Sequence, residues 1–301
     1  MAGLMTGAAR ESRVARYYDW LSRYHSLVAR LGHKGGFDPL TVHRLLRSDR
    51  AEVAPADVAH DRLLTTLGPI AAPRVIDAGS GFGGTVFYMC ARLDGQYDGL
   101  TLSPVQQARA AREAARRGVA GSCRFHVRSY DADLTDVVPG GADLVVAIES
   151  LAHSADPLRS VVHLSRALRP GGTLAIIDDV PRDTLGDDDP DFAAFRGGWS
   201  CPAIARDRTL AAAFAAAHLS VEHDEDLTPL VPLRDRAALE RLVLSNRRWR
   251  RVLGGSVLGS LVDSLHGGLM LERLYRRGLM RYRFVLARLA RPGSMRPSTP
   301  S

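Results

Sequence analysis

The sequence predicts an α/β protein with a doubly wound, mainly parallel sheet. Between residues 73 and 178, short apolar stretches alternate with helical ones at the spacing typical of such sheets. A glycine-rich segment follows the first apolar stretch directly, at the position where these folds bind ligands. With 301 residues, the chain has room for one large domain of this class or for two small ones.

The composition is that of a globular protein, because apolar residues make up 46% and charged residues 24% of the chain. Forty basic residues against 33 acidic ones leave a formal charge of +7, and every basic residue except Lys34 is an arginine. The arginines are dispersed and have no accompanying aromatic platform, so we expect no nucleic-acid partner. An arginine-for-lysine bias across the chain explains them more simply than a binding surface does.

Cysteine usage and hydropathy indicate where the protein resides. Cys90, Cys123 and Cys201 are too few and too far apart for a disulfide framework or a zinc ribbon. The N-terminal sequence M-A-G-L-M-T-G-A-A-R-E-S-R has no apolar run long enough for a signal peptide, and no segment reaches the roughly 18 continuous apolar residues of a spanning helix. We therefore expect a soluble cytoplasmic protein with no stable membrane insertion.

Residues 1–72 are predicted to form an N-terminal helical lid. Apolar residues recur at three- and four-residue steps from Val14 to Leu31, and the pattern resumes over residues 40–46. A further helix is predicted over residues 57–67, where Gly68 and Pro69 end it.

Residues 73–180 are predicted to form the core of the sheet. Its first five strands are predicted at 74–77, 97–102, 123–127, 142–148 and 173–177. The helices between them are predicted at 85–92, 104–117 and 158–168. The Pro-Gly-Gly sequence at 170–172 is predicted to make the turn that opens the fifth strand. Functional side chains are expected where the strands end, including residues 178–180 after the fifth strand.

Residues 181–290 are predicted to form a substrate cap and the closing strands, followed by a disordered tail at 291–301. The predicted elements of the cap are an acidic loop at 186–198, a helix at 204–218, a sixth strand at 221–227 and a long amphipathic stretch at 239–275. Four arginines cluster within that last stretch: Arg247, Arg248, Arg250 and Arg251. Such a cluster is typical of a solvated helix face, and it would also suit a diphosphate.

The glycine-rich segment has the spacing G-x-G-x-x-G at Gly79, Gly81 and Gly84. The run V-I-D-A-G-S-G-F-G-G, with L-R-P-G-G-T-L roughly ninety residues further on, resembles class I S-adenosylmethionine-dependent methyltransferases. The resemblance implies a Rossmann-like seven-stranded sheet with S-adenosylmethionine as the cofactor. It also implies that Asp77, Gly79, Gly81 and Gly83 line the pocket for the methionine half of that cofactor.

A nicotinamide-dependent enzyme is the alternative, and it would need an acidic residue at the end of the second strand. The sequence there is instead G-L-T-L-S-P-V-Q, which resembles the branch that contains sterol, tocopherol and prenyl-diphosphate C-methyltransferases. In that branch, the resemblance implies that Thr101, Ser103 and Gln106 contact the ribose. Ser103 also suits the N-cap of the next helix. After the third strand, the resemblance implies that Ser129 and Tyr130 lie next to the adenine.

The fourth strand ends in I-E-S-x-x-H, which resembles sterol and tocopherol C-methyltransferases. An alkene acceptor becomes a carbocation when it is methylated, and it must then lose a proton. The resemblance implies that Glu149 stabilises that cation or takes the proton, while His153 lines the acceptor site or assists proton transfer. The early run V-A-R-Y-Y-D-W resembles the lid of this branch, and it implies that Tyr17 or Tyr18 reaches the active site, with Tyr18 as our candidate.

We therefore expect a C-methyltransferase that acts on an isoprenoid or lipid-like alkene, with a small hydrophobic or prenyl substrate. The alternative is an O- or N-methyltransferase of a small secondary metabolite, in which His153 is the base. Glu149 and His153 alone are too few ligands for a metal site. Mg²⁺, with the acidic run Asp187–Asp189 as a candidate site, is expected only if the acceptor is a diphosphate. A homo-oligomer is left open.

Overall fold

The computed structural model describes residues 40, 41, 43–253 and 257–291, with the backbone alone at 257 and 258. Most of the predicted lid, including Tyr17 and Tyr18, lies outside the described residues, as does the tail from 292 to 301. The division of the chain at residues 73 and 181 stays a prediction.

A seven-stranded sheet forms the centre of the fold, as predicted. In chain order its strands are β1 (Arg74–Ala78), β2 (Gln96–Thr101), β3 (Cys123–Val127), β4 (Ala142–Ile148), β5 (Leu168–Pro181), β6 (Leu219–Asp226) and β7 (Met280–Leu289). Their order in the sheet is β3-β2-β1-β4-β5-β7-β6. The first five strands are parallel, while β7 runs antiparallel to both β5 and β6. The strand order reverses between β1 and β4, and ligands bind beyond the carboxyl ends of strands at such a point.

The parallel strands are buried because both faces of the sheet are covered. Alternate residues of β4 join different apolar cores, since successive side chains of a strand point to opposite faces. Val146 and Ile148 pack in one core, and Val145 and Ala147 pack in the other. The near-continuous apolar run that predicted this strand is therefore explained by burial on both sides.

The described residues form eight α-helices. They are α1 (Val58–Leu67), α2 (Gly84–Cys90), α3 (Pro104–Arg116), α4 (Pro157–Arg166), α5 (Pro190–Trp199), α6 (Asp207–Ala216), α7 (Arg236–Leu253) and α8 (Val257–Arg276). Three of them begin with proline after a residue whose side chain caps the helix, namely Ser103, Asp156 and Asp189. Within this part of the chain, no helix combines the length and apolar character needed to cross a bilayer.

The helix predicted over residues 40–46 is wrong where the structure describes that segment. Residues 43–48 are irregular. The N–H groups of Leu46 and Arg47 donate to the carbonyls of Pro55 and Leu230, at 3.0 and 2.7 Å, and not to a preceding helical turn. Tertiary hydrogen bonds therefore replace the helix that the apolar spacing predicted.

Two predictions in the carboxyl-terminal half also need correction. The expected loop at 186–198 is mostly helix α5, because Asp189 caps it and Pro190 begins it. The expected turn at 170–172 lies inside β5, where Gly171 has a φ of +81° and the pairing with β4 shifts register. The long amphipathic stretch at 239–275 is divided between α7 and α8.

Helices α5 and α8 bring the cap over the sheet. They cross so closely that a Cβ atom on Gly198 would lie 2.5 Å from the carbonyl oxygen of Asp263, so glycine is required there. The indole nitrogen of Trp199 donates to the carbonyl of Ser264 at 3.0 Å. This contact fixes the position of the Trp199 side chain above the carboxyl ends of the strands.

Candidate active site

A cavity of about 1030 Å³ lies at the carboxyl ends of β1, β2, β4 and β5. Its remaining walls come from residues near position 40, from the segments after β3 and β4, from the segment before α7, and from helices α5 and α8. Eight of the predicted site residues line it, namely Gly79, Gly81, Thr101, Gln106, Ser129, Tyr130, Glu149 and His153. Three others lie outside its lining, namely Asp77, Gly83 and Ser103.

The glycine loop brings the main chain directly to the cavity wall. Gly79 has a φ of +102°, and a Cβ atom there would lie 2.4 Å from the Cβ of Ser150. Only glycine meets both requirements, because other residues rarely adopt this φ and would clash. Gly83 is the N-cap of α2, with a φ of +89°. A ligand at the loop therefore faces main-chain atoms near a helix N-terminus.

Asp77 has a different position from the one expected, since it is buried at 2% exposure and does not line the cavity. Its Oδ2 atom has no hydrogen-bond partner among the described residues. Burial raises the pKa of this carboxyl to about 7. An unsatisfied carboxylate oxygen two residues before Gly79 fits the positively charged amino group of a methionine-type cofactor, which would supply the missing donor.

The end of β2 is a compact polar turn. The hydroxyl of Thr101 donates to Oε1 of Gln106 at 2.7 Å, and the N–H of Ser103 donates to Thr101 Oγ1 at 3.1 Å. The N–H of Gln106 donates to Ser103 Oγ at 3.1 Å. Ser103 is thus a structural cap that holds Thr101 and Gln106 at the cavity wall. After β3, the hydroxyl of Tyr130 donates to the carbonyl of Ser150 at 2.9 Å.

Glu149 follows β4 in a strained conformation, with a φ of +48°. Its main-chain N–H donates to the carbonyl of Ile177 at 2.8 Å, so the strand pairing extends to this residue. Its carboxylate accepts a hydrogen bond from the main-chain N–H of Arg44 at 2.9 Å. Burial raises the pKa of Glu149, and Arg44 opposes that rise. Left-handed conformations of non-glycine residues are concentrated at functional sites.

Arg44 is the functional residue that sequence reasoning missed. Its guanidinium lies 3.0 Å from Asp179 and 3.7 Å from Glu149. It also lies over the rings of Tyr275 and Tyr282, at 5.0 and 5.2 Å from their centroids. The hydroxyl of Tyr275 donates to the same Asp179 carboxylate. One partly buried cation therefore connects the irregular segment at 43–48, the ends of β4 and β5, and two aromatic side chains.

His153 lies in a short 3-10 turn, Leu151–His153, and lines the cavity. Burial lowers the pKa of its imidazole to about 4, so the ring is neutral at pH 7. Its Nδ1 atom is 3.9 Å from the thiol sulfur of Cys201. A neutral imidazole is able to accept a proton from an acceptor hydroxyl or amine.

The part of the cavity beneath the cap is mostly apolar. Aromatic and aliphatic residues from α5, α8 and the segment before α7 line it, namely Phe195, Trp199, Val231, Leu233, Leu261, Leu265, Leu269 and Leu271. The ring centroids of Phe195 and Trp199 are 5.3 Å apart. Such a surface suits a small hydrophobic molecule and excludes water.

The charged clusters singled out in the sequence do not line this cavity. Arg247, Arg248, Arg250 and Arg251 lie on the exposed face of α7. In the acidic run, Asp187 pairs with Arg206 at 2.7 Å, and Asp189 pairs with Arg277 at 2.6 Å. In the described ranges, no group of three or more His, Cys, Asp or Glu residues is placed to hold a metal ion.

Comparison with known families gives one domain match. A family described as a methyltransferase domain matches residues 76–174, which extend from β1 into β5 and include most of the polar wall of the cavity.

Among curated proteins, the chain is 36% identical over 105 residues to the chloroplastic tocopherol O-methyltransferase of Arabidopsis thaliana, covering 35% of this chain and 29% of that enzyme. It is 33% identical over 118 residues to ajmaline N-methyltransferase of Rauvolfia serpentina, covering 38% and 39% of the two chains. The chain thus spans well under two thirds of the length of these relatives.

Among solved structures, the fold is similar to geranyl diphosphate C-methyltransferase from Streptomyces coelicolor A3(2), which was solved with Mg²⁺, geranyl diphosphate and S-adenosyl-L-homocysteine. The TM-score is 0.65 at 19% identity, and the alignment covers 95% of this chain and 99% of that one. At this identity the similarity shows a common fold.

Proposed function

We propose that this chain, which carries a class I S-adenosylmethionine-dependent methyltransferase domain, methylates a carbon atom of a small apolar alkene of isoprenoid or lipid type. One observation supports this best: Glu149, whose backbone is strained, lies at the wall of the cavity, next to an apolar compartment. A carboxylate in that place is suited to a positive charge that develops in an apolar acceptor.

The polar half of the cavity is the proposed cofactor site. When bound, S-adenosylmethionine supplies an electrophilic methyl group on a sulfonium sulfur. The glycine loop at Gly79 and Gly81 gives that ligand close access to the main chain, and Asp77 offers an unsatisfied carboxylate oxygen beneath it. Thr101 and Gln106 present polar groups on the adjacent wall.

The apolar half is the proposed acceptor site. Trp199 and Phe195 orient the acceptor and exclude water that would intercept a cation. The Glu149 carboxylate faces the positive charge that the acceptor carbon gains, and it accepts the proton whose loss restores the alkene. Arg44 holds this carboxylate in place through its main-chain N–H, at 2.9 Å.

An uncharged acceptor fits the cavity better than a diphosphate. Three of the four arginines in its lining already pair with carboxylates: Arg44 with Asp179, Arg128 with Asp136, and Arg234 with Glu272. The fourth, Arg159, is exposed. Neutralised guanidinium groups are poor phosphate ligands. We therefore propose that activity does not depend on Mg²⁺.

O- or N-methylation is the second candidate, and a specific observation favours it. His153 is neutral and lines the cavity, as a base for a hydroxyl or amine must. The tocopherol and ajmaline relatives are named as O- and N-methyltransferases. In this alternative His153 carries the proton transfer, and Glu149 has a structural role.

An acceptor screen with methyl-labelled cofactor separates the two candidates. The panel contains isoprenoid alcohols, prenyl diphosphates with and without Mg²⁺, phenols and amines, tested on the wild type, Glu149→Gln and His153→Asn. For C-methylation we expect Glu149→Gln to lose roughly a hundredfold or more in kcat, with a smaller effect of His153→Asn. Glu52→Gln, at an exposed carboxylate outside the cavity, is the matched control. Methylation of phenols or amines alone, abolished by His153→Asn, would establish the second candidate.

A further inference from the structure

Helix α7 carries an apolar stripe on its exposed side. Leu242, Trp249 and Val252 are 42%, 57% and 73% exposed, respectively. Their spacing of seven and three residues places them on one helix face, away from Leu239 and Val243, which are buried. Large apolar side chains that share an exposed face indicate an interaction surface.

Two arginines border this stripe. The helix R-A-A-L-E-R-L-V-L-S-N-R-R-W-R-R-V-L contains six arginines and a single acidic residue, Glu240, which is paired with Arg273 of α8. Arg241 and Arg248 flank the stripe, whereas Arg247 and Arg251, two residues before and after Trp249, lie on the opposite side of the helix. Arg241 and Arg248 are exposed, and neither forms an ion pair within the described part of the chain. The stripe is therefore apolar with a positive border.

The stripe lies on a helix that packs against one wall of the cavity. Helix α7 packs on α8, where the Asn246 amide donates to the carbonyl of Val262 at 3.0 Å, and Arg250 pairs with Asp263 at 2.6 Å. Leu265 of α8 lines the cavity and is also 53% exposed, so it lies at the cavity mouth. A surface that binds α7 would consequently adjoin the helix that carries this part of the cavity mouth.

We propose that α7 docks this protein on an anionic lipid surface, with Trp249, Val252 and Leu242 inserted among the acyl chains and the neighbouring arginines on lipid phosphates. Helices with an apolar face flanked by arginine bind membranes in this way. The docking itself does not depend on the proposed function. The further step, in which the acceptor enters the cavity from the lipid, rests on the proposed function.

Charge and polarity argue against other occupants of this face. A second copy of the chain related by a two-fold axis would bring the same arginines against each other, with Glu240 already paired within its own chain. A nucleic acid would neutralise the arginines, but it would leave Val252 and Leu242 without an apolar partner.

Vesicle co-sedimentation tests the proposal. The full-length protein is mixed with phosphatidylcholine vesicles containing 30% phosphatidylglycerol, or with phosphatidylcholine alone, at low and high salt. We expect binding to the anionic vesicles that weakens with salt. It should be about 30-fold weaker for Arg241→Gln/Arg248→Gln, at about 1 kcal/mol per arginine, and lost for Trp249→Ser/Val252→Ser.

The matched control is Arg112→Gln/Arg116→Gln on α3, which removes the same formal charge from another exposed helix face. Unchanged melting temperatures show that the variants are folded. The proposal would be overturned if the protein did not bind vesicles, or if the α3 control lost binding equally. It would also be overturned if Trp249→Ser/Val252→Ser changed the monomer–dimer equilibrium without any vesicle binding, or if the protein bound RNA in preference to vesicles. Vesicle binding without methyl transfer to any acceptor would instead contradict the proposed function.

Discussion

Replacing Arg44 with glutamine tests whether the buried charge network holds the active site together. Arg44 and Asp179 are 16% and 3% exposed, and their charged atoms are 3.0 Å apart. Without the guanidinium, the Asp179 carboxylate stays buried close to Glu149 with no cation. Breaking a buried ion pair costs about 3–5 kcal/mol, whereas an exposed pair is worth about 1 kcal/mol or less. We expect the free energy of unfolding to fall within the larger range.

Urea unfolding followed by circular dichroism measures this change in the wild type, Arg44→Gln, Asp179→Asn and the double variant. Because the double variant removes both charges, it should be more stable than the two single effects predict, by about 1–3 kcal/mol.

The pH dependence has a definite sign. Arg44 opposes the raised pKa of Glu149, so its removal raises that pKa further. An acid with a raised pKa in the folded state destabilises the fold as pH increases, so the loss should be larger at pH 8 than at pH 5.

Two results would refute this reasoning. A cost below about 1 kcal/mol for Arg44→Gln would show that the pair behaves like an exposed one. Additive effects of the two single substitutions would show that Arg44 and Asp179 do not interact energetically.

Three further predictions concern the two halves of the cavity. Gly79→Ala should weaken S-adenosylhomocysteine binding at least tenfold in calorimetry, because of the clash with Ser150 and the φ of +102°; Gly118→Ala, with a φ of +72° but no atom within 4 Å of the new Cβ, is the control, and equal effects would contradict the prediction. The pKa of Asp77 is raised to about 7, so the stability of the ligand-free protein should fall as pH rises from about 4 to about 7, and Asp77→Asn should flatten that slope in unfolding experiments; an unchanged slope would count against it. Trp199→Leu should raise the KM for the acceptor severalfold and leave cofactor affinity unchanged, because Trp199 lies in the apolar half; a matching loss of cofactor affinity would argue against that division.

The local elements were largely predictable because each depends on neighbouring residues. The apolar runs of β1 to β4 were located within one or two residues, and Ser103 was identified correctly as the cap of α3. Where prediction failed, distant groups competed with local preference. Residues 43–48 are not helical, because main-chain N–H groups of this segment donate hydrogen bonds to the carbonyls of Pro55 and Leu230. The Pro-Gly-Gly sequence at 170–172 lies inside β5 without pairing partners among the described strands, between the Ala142–Leu168 and Leu144–Thr173 pairs, so it interrupts the pairing with β4 but does not end the strand.

The sequence by itself determined the sheet, the glycine loop and the residues that follow each strand, because hydrophobic periodicity and glycine spacing act over a few residues. Only the tertiary structure placed Arg44 against Glu149, 105 positions further along the chain, and Tyr275 against Asp179, 96 positions away. Only the tertiary structure also shows that Asp77 lies outside the cavity lining and that its Oδ2 atom has no hydrogen-bond partner among the described residues. These contacts arise from packing between elements distant in sequence, and the charge on each carboxylate depends on the burial that packing creates.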